Sequence, residues 1–308
     1  MELIRGLQNI RSKHHACVAT IGNFDGVHLG HQAVLGQLAE KAAELSLPTV
    51  LITFEPQPME YFVPDKVPAR LTRFREKILA LQRYSVNRIC CLSFNNKLAN
   101  LTAQAFIEQV LVGKLGVKYL VVGDDFRFGL NRAGTFETLV EAGKKYGFQV
   151  VSMHTFEIDS ERVSSTRIRV ALEKGDMSSA EKLLGRRYRM SGRVAHGEKL
   201  GRELGFPTAN IHLHRHASPL QGIFVVEVFG LDEEPLQGVA SVGTRPTINE
   251  TKALLEVFLF DFNQDIYGRH IQVSFLKKLR DEEKFDSLDE LKIQIQRDVE
   301  QAQAYFAA

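Results

Sequence analysis

The first 184 residues alternate short apolar runs with amphipathic helical patterns, and this alternation restricts the possible folds more than any other feature of the chain. Apolar runs that suit strands lie at 16–21, 49–54, 88–94, 119–123 and 148–153. Helical patterns lie between them at 31–45, 70–84, 102–115 and 135–146. Because helices that connect parallel strands cover both faces of a sheet, the alternation predicts an α/β domain with a parallel sheet. Ligands of such sheets bind at the carboxyl ends of the strands.

The pattern changes near residue 185. Apolar runs at 225–229, 238–242, 254–262 and 270–275 follow one another without helices between them, which predicts a small antiparallel β-barrel. A capping-box sequence at 287–290 begins a final helix, whose apolar stripe of Leu288, Leu291, Ile295 and Val299 should dock on the barrel. We therefore predict two domains, over residues 1–184 and 185–308.

Composition excludes several classes of protein. The chain of 308 residues is 44% hydrophobic and has a net charge of +2, so it can bury two cores and lacks the charge excess of nucleic-acid or membrane binders. Cys17, Cys90 and Cys91 are too few for a disulfide framework, and two of them are adjacent, which does not suit a CxxC site. Without a recognisable signal peptide or membrane span, we expect a cytoplasmic monomer or weak oligomer.

The segment GNFDGVHLGHQ, at 22–32, directly follows the first apolar run. A glycine-rich turn that opens a helix presents backbone N–H groups and the positive end of the helix dipole to a phosphate. An HxGH sequence by itself is common, and glycines after a strand often only make a turn. The combination favours phosphate chemistry on a nucleotide. The candidate residues are Gly22, Asn23, Phe24, Asp25, His28, Gly30 and His31.

Two further segments of the first half carry ligand-binding side chains. GDDFRFG, at 123–129, offers rings that can stack on a planar ligand, while Asp125 and Arg127 can make directional hydrogen bonds. An ordinary acidic surface loop has the same appearance. VSSTRIR, at 163–169, puts hydroxyls at a helix start ahead of arginines, which suits either an anion site or a simple N-cap with a solvated basic face.

The second half contains its own set of motifs. These are GRELGFPTAN at 201–210, GTRPT at 243–247, and Glu256 within an apolar strand-like run. A carboxylate in such a run is costly to bury unless it is paired or used, which suits a general base. The alternative is a carboxylate on the wet face of an alternating strand. The segment at 192–199 imitates a P-loop, but Glu198 occupies the lysine position and no Ser or Thr follows Lys199, so we reject that interpretation.

The HxGH and SSTR segments together resemble the nucleotidylyltransferase superfamily, whose Rossmann-like domain brackets a nucleotide triphosphate with such motifs. Val163 replaces the usual isoleucine of the distal motif. The resemblance implies that catalysis aligns two phosphates and stabilises developing negative charge, without a covalent intermediate. It also implies that Asn23 binds phosphate near the reacting centre. The residues implied to hold the triphosphate are His28, His31, Ser164, Ser165, Thr166 and Arg167.

The PTAN and GTRPT segments with Glu256 resemble riboflavin kinases, and the chain from Cys17 to about Val299 resembles the bifunctional bacterial riboflavin kinase/FMN adenylyltransferases, or FAD synthetases. This resemblance implies that the barrel phosphorylates the ribityl 5′-hydroxyl of riboflavin with ATP and Mg²⁺. The first domain then joins AMP from ATP to FMN, giving FAD and pyrophosphate. No tightly bound redox cofactor is implied.

The same resemblance implies a role for each matching residue. Glu256 accepts the hydroxyl proton, and Thr208 and Asn210 hold the metal and phosphates through oxygen atoms. Other kinase residues for ATP or flavin are Gly201, Gly205, Phe206, Pro207 and Arg245. The flavin side of the adenylyltransferase is Phe54, Pro56, Asp125, Phe126, Arg127 and Phe128.

Two positions depart from the family pattern. Gln57 replaces the histidine of TFEPHP, so this position can form hydrogen bonds but cannot carry a positive charge. Phe224 lies in GIFVV where GVYAV is usual, and it lacks a hydroxyl. Three alternatives stay open at this point: a monofunctional cytidylyl- or adenylyltransferase with a binding barrel, a flavin carrier without turnover, and, least favoured by the balanced charge, a nucleic-acid binder.

Overall fold

A computed structural model describes residues 1–123, 125–153, 156–197, 200–213, 217–246 and 251–308. These residues form two compact units. The first comprises Met1–Val67 and Lys77–Val163, and the second comprises Pro68–Glu76 and Ser164–Ala308. The domain boundary expected between residues 184 and 185 stays a prediction. The chain passes from the first compact unit to the second between residues 163 and 164.

The first unit is built on a six-stranded sheet in which every pair of neighbouring strands is parallel, as predicted. The order across the sheet is β1-β4-β3-β2-β5-β6. The strands are β1 (Glu2–Arg5), β2 (Cys17–Ile21), β3 (Thr49–Glu55), β4 (Arg88–Ser93), β5 (Val117–Gly123) and β6 (Gln149–Met153). Every residue of β2 is buried, because helices cover both faces of such a sheet and the central strands become continuous apolar runs. The short edge strand β1 buries only Ile4, so its sequence carries no strand pattern.

Helices and short turns connect these strands. The helices are α1 (Leu29–Leu45), α2 (Pro58–Phe62), α3 (Phe74–Leu81), α4 (Asn96–Ala99), α5 (Ala103–Phe106) and α6 (Phe136–Tyr146). A π-helix, Ile107–Lys114, continues α5, and a small antiparallel hairpin consists of β7 (Glu157–Ile158) and β8 (Glu161–Arg162). Single 3₁₀ turns lie at Leu7–Asn9, Ser12–His14, Pro64–Lys66 and Leu130–Arg132.

The helix predicted at 70–84 is shorter in the structure, where α3 begins at Phe74. The carboxylate of Glu76 accepts a hydrogen bond from the backbone N–H of Arg73 at 2.7 Å, which ends the helix at that side. Upstream, the carbonyl of Leu71 accepts from the Tyr188 hydroxyl at 2.9 Å. That carbonyl is therefore bound by a side chain instead of a helical N–H.

The second unit is a closed antiparallel barrel with helices at both chain ends, which confirms the predicted barrel and final helix. The strand order is β10-β13-β12-β11-β14-β9. The strands are β9 (Arg189–Ala195), β10 (Thr208–His212), β11 (Gly222–Phe229), β12 (Leu236–Pro246), β13 (Thr251–Leu259) and β14 (His270–Arg280). The helices are α7 (Ser165–Glu173), α8 (Met177–Leu184), α9 (Leu200–Glu203) and α10 (Leu288–Ala307).

Apolar side chains fill the barrel and also cover part of its outer surface. Phe224 and Phe275 are buried inside and meet edge to face, with ring centroids 5.4 Å apart. On the outside, Val225 and Val239 belong to one apolar cluster with Ala302 of α10. Leu288 is exposed, so the docking stripe of α10 begins further along the helix than the sequence predicted. In the described part of the chain, no helix is long and apolar enough to cross a membrane.

Candidate active sites

The sheet of the first unit has its topological switch point between β2 and β5. The chain runs from β2 outward through β3 in one direction, and β5 pairs with β2 on the other side. In open α/β sheets, ligands bind outside the carboxyl ends of the strands at such a point. The loop GNFDG follows β2, and the segment that begins GDDFRFG follows β5. Two of the motifs predicted to bind ligand therefore leave neighbouring strand ends.

The loop after β2 is tightly folded. Phe24 and Val27 are non-glycine residues in the left-handed region, with φ of 50° and 44°, and both are buried. Such conformations cost on the order of 1–3 kcal/mol each and persist where surrounding packing enforces them, commonly at functional sites. The carbonyl of Val27 accepts a hydrogen bond from the Gln32 side chain at 3.0 Å, and Asp25 is buried within the same loop.

His28 is the N-cap of α1. Its Nδ1 accepts a hydrogen bond from the backbone N–H of His31 at 3.3 Å. The two imidazole rings stack with centroids 3.6 Å apart. An acceptor role at Nδ1 leaves Nε2 as the nitrogen that can carry a proton toward a phosphate. A Cβ at Gly30 would lie 3.3 Å from the His28 ring, so a glycine here lets the ring lie against the helix start.

The carboxyl end of β3 carries Phe54, followed by a cis Glu55–Pro56 peptide bond. The Thr53 hydroxyl donates to the carbonyl of Asn23 at 3.5 Å, linking this end to the loop after β2. Gln57 is 8% exposed, and among the described residues its Nε2 has no hydrogen-bond partner. This buried donor suits an acceptor on a ligand.

Aromatic rings next to Phe54 extend the predicted flavin side. Phe94 meets the rings of Phe54, Tyr61 and Phe62 with centroids 5.5–5.7 Å apart. Phe62 is 59% exposed, so one face of this aromatic group is open to solvent. Tyr61, Phe62 and Phe94 are not among the residues predicted from the sequence. The aromatic pair after Pro58 was an available signal for Tyr61 and Phe62, whereas Phe94 comes next to them only in the fold.

The candidate flavin-binding residues in the segment after β5 differ in burial. Phe128 is buried and stacks on Phe126 with centroids 5.5 Å apart, whereas Arg127 is exposed. Asp125 accepts two hydrogen bonds from Arg162, at 2.9 and 3.1 Å. This guanidinium holds the pKa of Asp125 below its usual range, so the carboxylate stays ionised at neutral pH. Asp124 lies outside the described residues.

The segment VSSTRIR begins α7, as predicted. Ser164 is the N-cap, and its hydroxyl accepts from the backbone N–H of Arg167 at 3.3 Å. Ser165, Thr166 and Arg167 form the first turn of the helix. This helix belongs to the second compact unit, while GNFDGVHLGHQ belongs to the first.

Strand register brings the expected kinase residues together on the outer face of the barrel. Asn210 of β10 lies directly opposite Glu256 of β13, and Glu256 lies directly opposite Ser241 of β12. Side chains of directly paired residues project from the same face, with Cβ atoms about 4.5–5.5 Å apart. The alternate set on these strands, which includes Ala240 and Val257, is buried inside the barrel. We call the first set, Asn210, Glu256 and Ser241, the outer row.

The segment 201–210 approaches the same face. Thr208 pairs with Phe258, two residues from Asn210, so it projects from the outer face as well. The backbone N–H of Phe206 donates to the Gly201 carbonyl at 2.7 Å, closing a turn that contains Gly205 and directly precedes Pro207. The side chain of Arg245 on β12, together with Thr247, Glu198 and Lys199, lies outside the described part of the chain.

Comparisons with known proteins decide the family. An FAD synthetase family model matches residues 10–167, and a riboflavin kinase model matches residues 184–306. A bifunctional riboflavin kinase/FMN adenylyltransferase from Escherichia coli (strain K12) is 52% identical over 99% of this chain and 98% of its own length. A Haemophilus influenzae relative with the same description is 51% identical over 99% of both chains. This chain belongs to the bifunctional riboflavin kinase/FMN adenylyltransferase family.

As a member of this family, the chain uses ATP to phosphorylate riboflavin to FMN, and ATP again to adenylylate FMN to FAD. This outcome confirms the predicted function and decides against a monofunctional transferase and a flavin carrier. A crystal structure from Streptococcus pneumoniae, described as a macrolide-efflux protein, is 34% identical, covers 97% of both chains and has a TM-score of 0.82. That likeness shows that the two-part fold recurs along nearly the whole chain.

Proposed function

We propose that the outer row carries the kinase reaction and that the loop after β2 carries adenylyl transfer. The observation that supports the kinase half most strongly is register, since Asn210 lies directly opposite Glu256. Gly201, Gly205, Phe206, Pro207 and Arg245 complete the proposed kinase site for ATP and flavin. We also propose that residues 185–308 form the kinase domain.

In the kinase reaction, the carboxylate of Glu256 takes the proton of the ribityl 5′-hydroxyl as its oxygen attacks the γ-phosphorus of ATP. The bond from that phosphorus to the bridging oxygen breaks, which releases ADP. A carboxylate on a strand is held rigidly, and positioning provides most of the catalysis in phosphoryl transfer. Glu256 is partly buried, so the hydroxyl can reach it from the outer face.

The residues near Glu256 fit Mg²⁺. Thr208 and Asn210 present hydroxyl and amide oxygens, and magnesium bound with nucleotide phosphates needs only one or two protein ligands. When bound, the ion would neutralise charge on the transferring phosphate.

In adenylyl transfer, a phosphate oxygen of FMN attacks the α-phosphorus of ATP and pyrophosphate leaves. His28, through Nε2, and His31 would stabilise the charge that develops on the phosphates, with Asn23 near the reacting phosphorus. Gly22, Phe24, Asp25 and Gly30 shape that loop. Ser164, Ser165, Thr166 and Arg167 would hold the remaining phosphates at the start of α7.

The flavin of this second reaction would lie at the carboxyl ends of β3 and β5. The exposed ring of Phe62, which contacts Phe94 beside Phe54, supports a planar ligand here. Pro56, Asp125, Phe126 and Arg127 belong to the same proposal, while the buried ring of Phe128 would act by supporting Phe126. We further propose a cytoplasmic monomer or weak oligomer. The balanced charge supports the absence of a nucleic-acid partner.

Glu256→Gln tests the kinase assignment. A neutral amide cannot accept the proton, so we expect kcat for FMN formation to fall about 10²–10⁴-fold. FAD formation from supplied FMN should stay at the wild-type rate, measured by chromatographic separation of the flavins. Equal loss of both activities would contradict a separate kinase site.

His28→Ala tests the adenylyltransferase assignment in the opposite direction. Removing one donor to the developing charge should lower FAD formation about 10²–10³-fold, so FMN accumulates from riboflavin. FAD formation at the wild-type rate would show that His28 lies outside the site.

A further inference from the structure

A second carboxylate lies beside the outer row. The Ser241 hydroxyl donates to Oε1 of Glu282 at 3.3 Å, and Ser241 lies directly opposite Glu256. Glu282 follows β14 and is exposed, within the acidic sequence DEEK that resembles an ordinary solvated segment. The contact with Ser241 instead brings its carboxylate to the face that carries Glu256.

Gly243 makes room for this carboxylate. A Cβ at Gly243 would lie 2.1 Å from Oε1 of Glu282 and 2.6 Å from Oε2. No side chain fits there unless Glu282 moves. Gly243 is the first residue of the GTRPT segment, and its lack of a side chain leaves the space in which the Glu282 carboxylate lies beside β12.

The backbone that carries Glu282 is fixed from the preceding residues. Arg280 donates to both carboxylate oxygens of Asp298 on α10, at 2.9 Å from Nε and 2.8 Å from a terminal nitrogen. Its other terminal nitrogen donates to the carbonyl of Asp281 at 2.9 Å. Asp298 is buried, so the pair is held in one geometry. Glu282 therefore extends from an anchored segment, although its own side chain is exposed.

We propose that Glu282 is a specificity-determining residue of the kinase, whose carboxylate accepts hydrogen bonds from the ribityl hydroxyls next to the 5′-hydroxyl. Ionised carboxylates only accept hydrogen bonds, and a polyol chain offers a row of hydroxyl donors. With the 5′-hydroxyl at Glu256, the following hydroxyls of the chain lie along the outer row toward Ser241 and Glu282. The proposal rests on the kinase site proposed above.

Glu282→Gln removes the charge and keeps an oxygen that can accept from Ser241. Charge-assisted hydrogen bonds are about twice as strong as neutral ones, so we expect the KM for riboflavin to rise about tenfold. A contact made equally in ground and transition states leaves kcat unchanged. The KM for ATP and the rate of FMN adenylylation should also stay unchanged. Glu283→Gln, with the same change one residue away, is the matched control and should have wild-type constants.

Lumiflavin identifies the part of the substrate that Glu282 contacts. It has the flavin ring with a methyl group in place of the ribityl chain, so its inhibition constant in the kinase assay reports ring binding alone. We expect Glu282→Gln to leave that constant unchanged. A riboflavin KM within twofold of wild type, or an equal rise in the lumiflavin constant, overturns the proposal.

Gly243→Ala displaces Glu282 without changing any charge. We expect the same selective rise in the riboflavin KM, and a double variant with Glu282→Gln should show less than the product of the two effects. If the double variant raises the riboflavin KM by the full product of the two single effects, the proposal is overturned. The outcome is separate from the role of Glu256, because Glu256→Gln alters kcat whereas these variants alter the KM for one substrate.

Discussion

At the scale of single residues, burial and short hydrogen bonds decide which groups are available for chemistry. His28 caps a helix through Nδ1, which accepts a hydrogen bond from the backbone N–H of His31. The thiols of Cys17 and Cys90, by contrast, are buried and not available for chemistry. Burial raises the pKa of each to about 12, so both stay protonated throughout the physiological pH range.

This protonation predicts unreactive thiols. At pH 8, a thiol with a pKa of about 12 has only about 10⁻⁴ of its population as the nucleophilic thiolate. We expect Cys17 and Cys90 to resist iodoacetamide in the native chain and to react fully in urea, as measured by mass spectrometry of digested protein. Rapid labelling of either cysteine without urea would contradict the buried placement.

At the scale of elements, a partly buried ion pair between Arg280 and Asp298 joins the barrel to α10. The side chain of Asp298 is 4% exposed and that of Arg280 is 17% exposed. Removing one partner of a buried pair leaves an uncompensated charge, which costs more free energy than the pair contributes by its attraction. The apolar contacts of Ala302 and Phe306 with the barrel then have to hold the helix without this pair.

Asp298→Ala should therefore lower the free energy of unfolding of the barrel by about 3–5 kcal/mol. Urea denaturation followed by circular dichroism measures the change. Asp289→Ala, in the exposed first turn of the same helix, is the control and should change stability by less than about 1 kcal/mol. Similar losses in both variants would show that helix propensity and not the ion pair holds α10.

Elements with periodic apolar runs could be predicted from the sequence, and those without them could not. The sheet strands β2 to β6 and the barrel strands β11 to β14 were expected near their observed positions. The strands β9 and β10 were missed, because RMSGRVA and TANIH mix polar residues with small ones and have no continuous apolar run. Their place depends on pairing with β14 and β13, which the local sequence does not encode.

The same distinction applies to the candidate sites. Residues within motifs, such as His28 and Glu256, could be selected in advance because their chemistry is visible in the sequence. Ser241 and Glu282 could not, since a serine in an apolar run and a glutamate in an acidic run look ordinary. Strand register places Ser241 in the outer row, and the space above Gly243 lets Glu282 lie beside that row.

At the scale of the whole molecule, the two compact units each have their own core, and the residues proposed for the acid–base step of the kinase and for the histidines of adenylyl transfer lie in different units. A substitution on the surface of one site should leave the core of the other unit intact. The chain then has two separate activities in sequence, since FMN is the product of the kinase and the substrate of the adenylyltransferase.

Mixing the two inactivated variants tests this independence. An equimolar mixture of Glu256→Gln and His28→Ala chains should convert riboflavin to FAD, because each chain keeps one working site and FMN diffuses between them. FMN should appear first in a chromatographic time course. Absence of FAD in the mixture, with each single activity present, would mean that FMN is not exchanged between chains.

The position of Glu256 in the outer row depends on whether an odd or an even number of residues is lost from β13. Side chains alternate between the two faces of β13, so the loss of one residue between Thr251 and Glu256 would turn the glutamate into the apolar interior and bring a leucine outward. The loss of two residues would restore the correct face at the cost of a shorter strand. Viable natural variants of this strand are therefore expected to differ in length by even numbers, because only a change of two residues keeps Glu256 on the outer face.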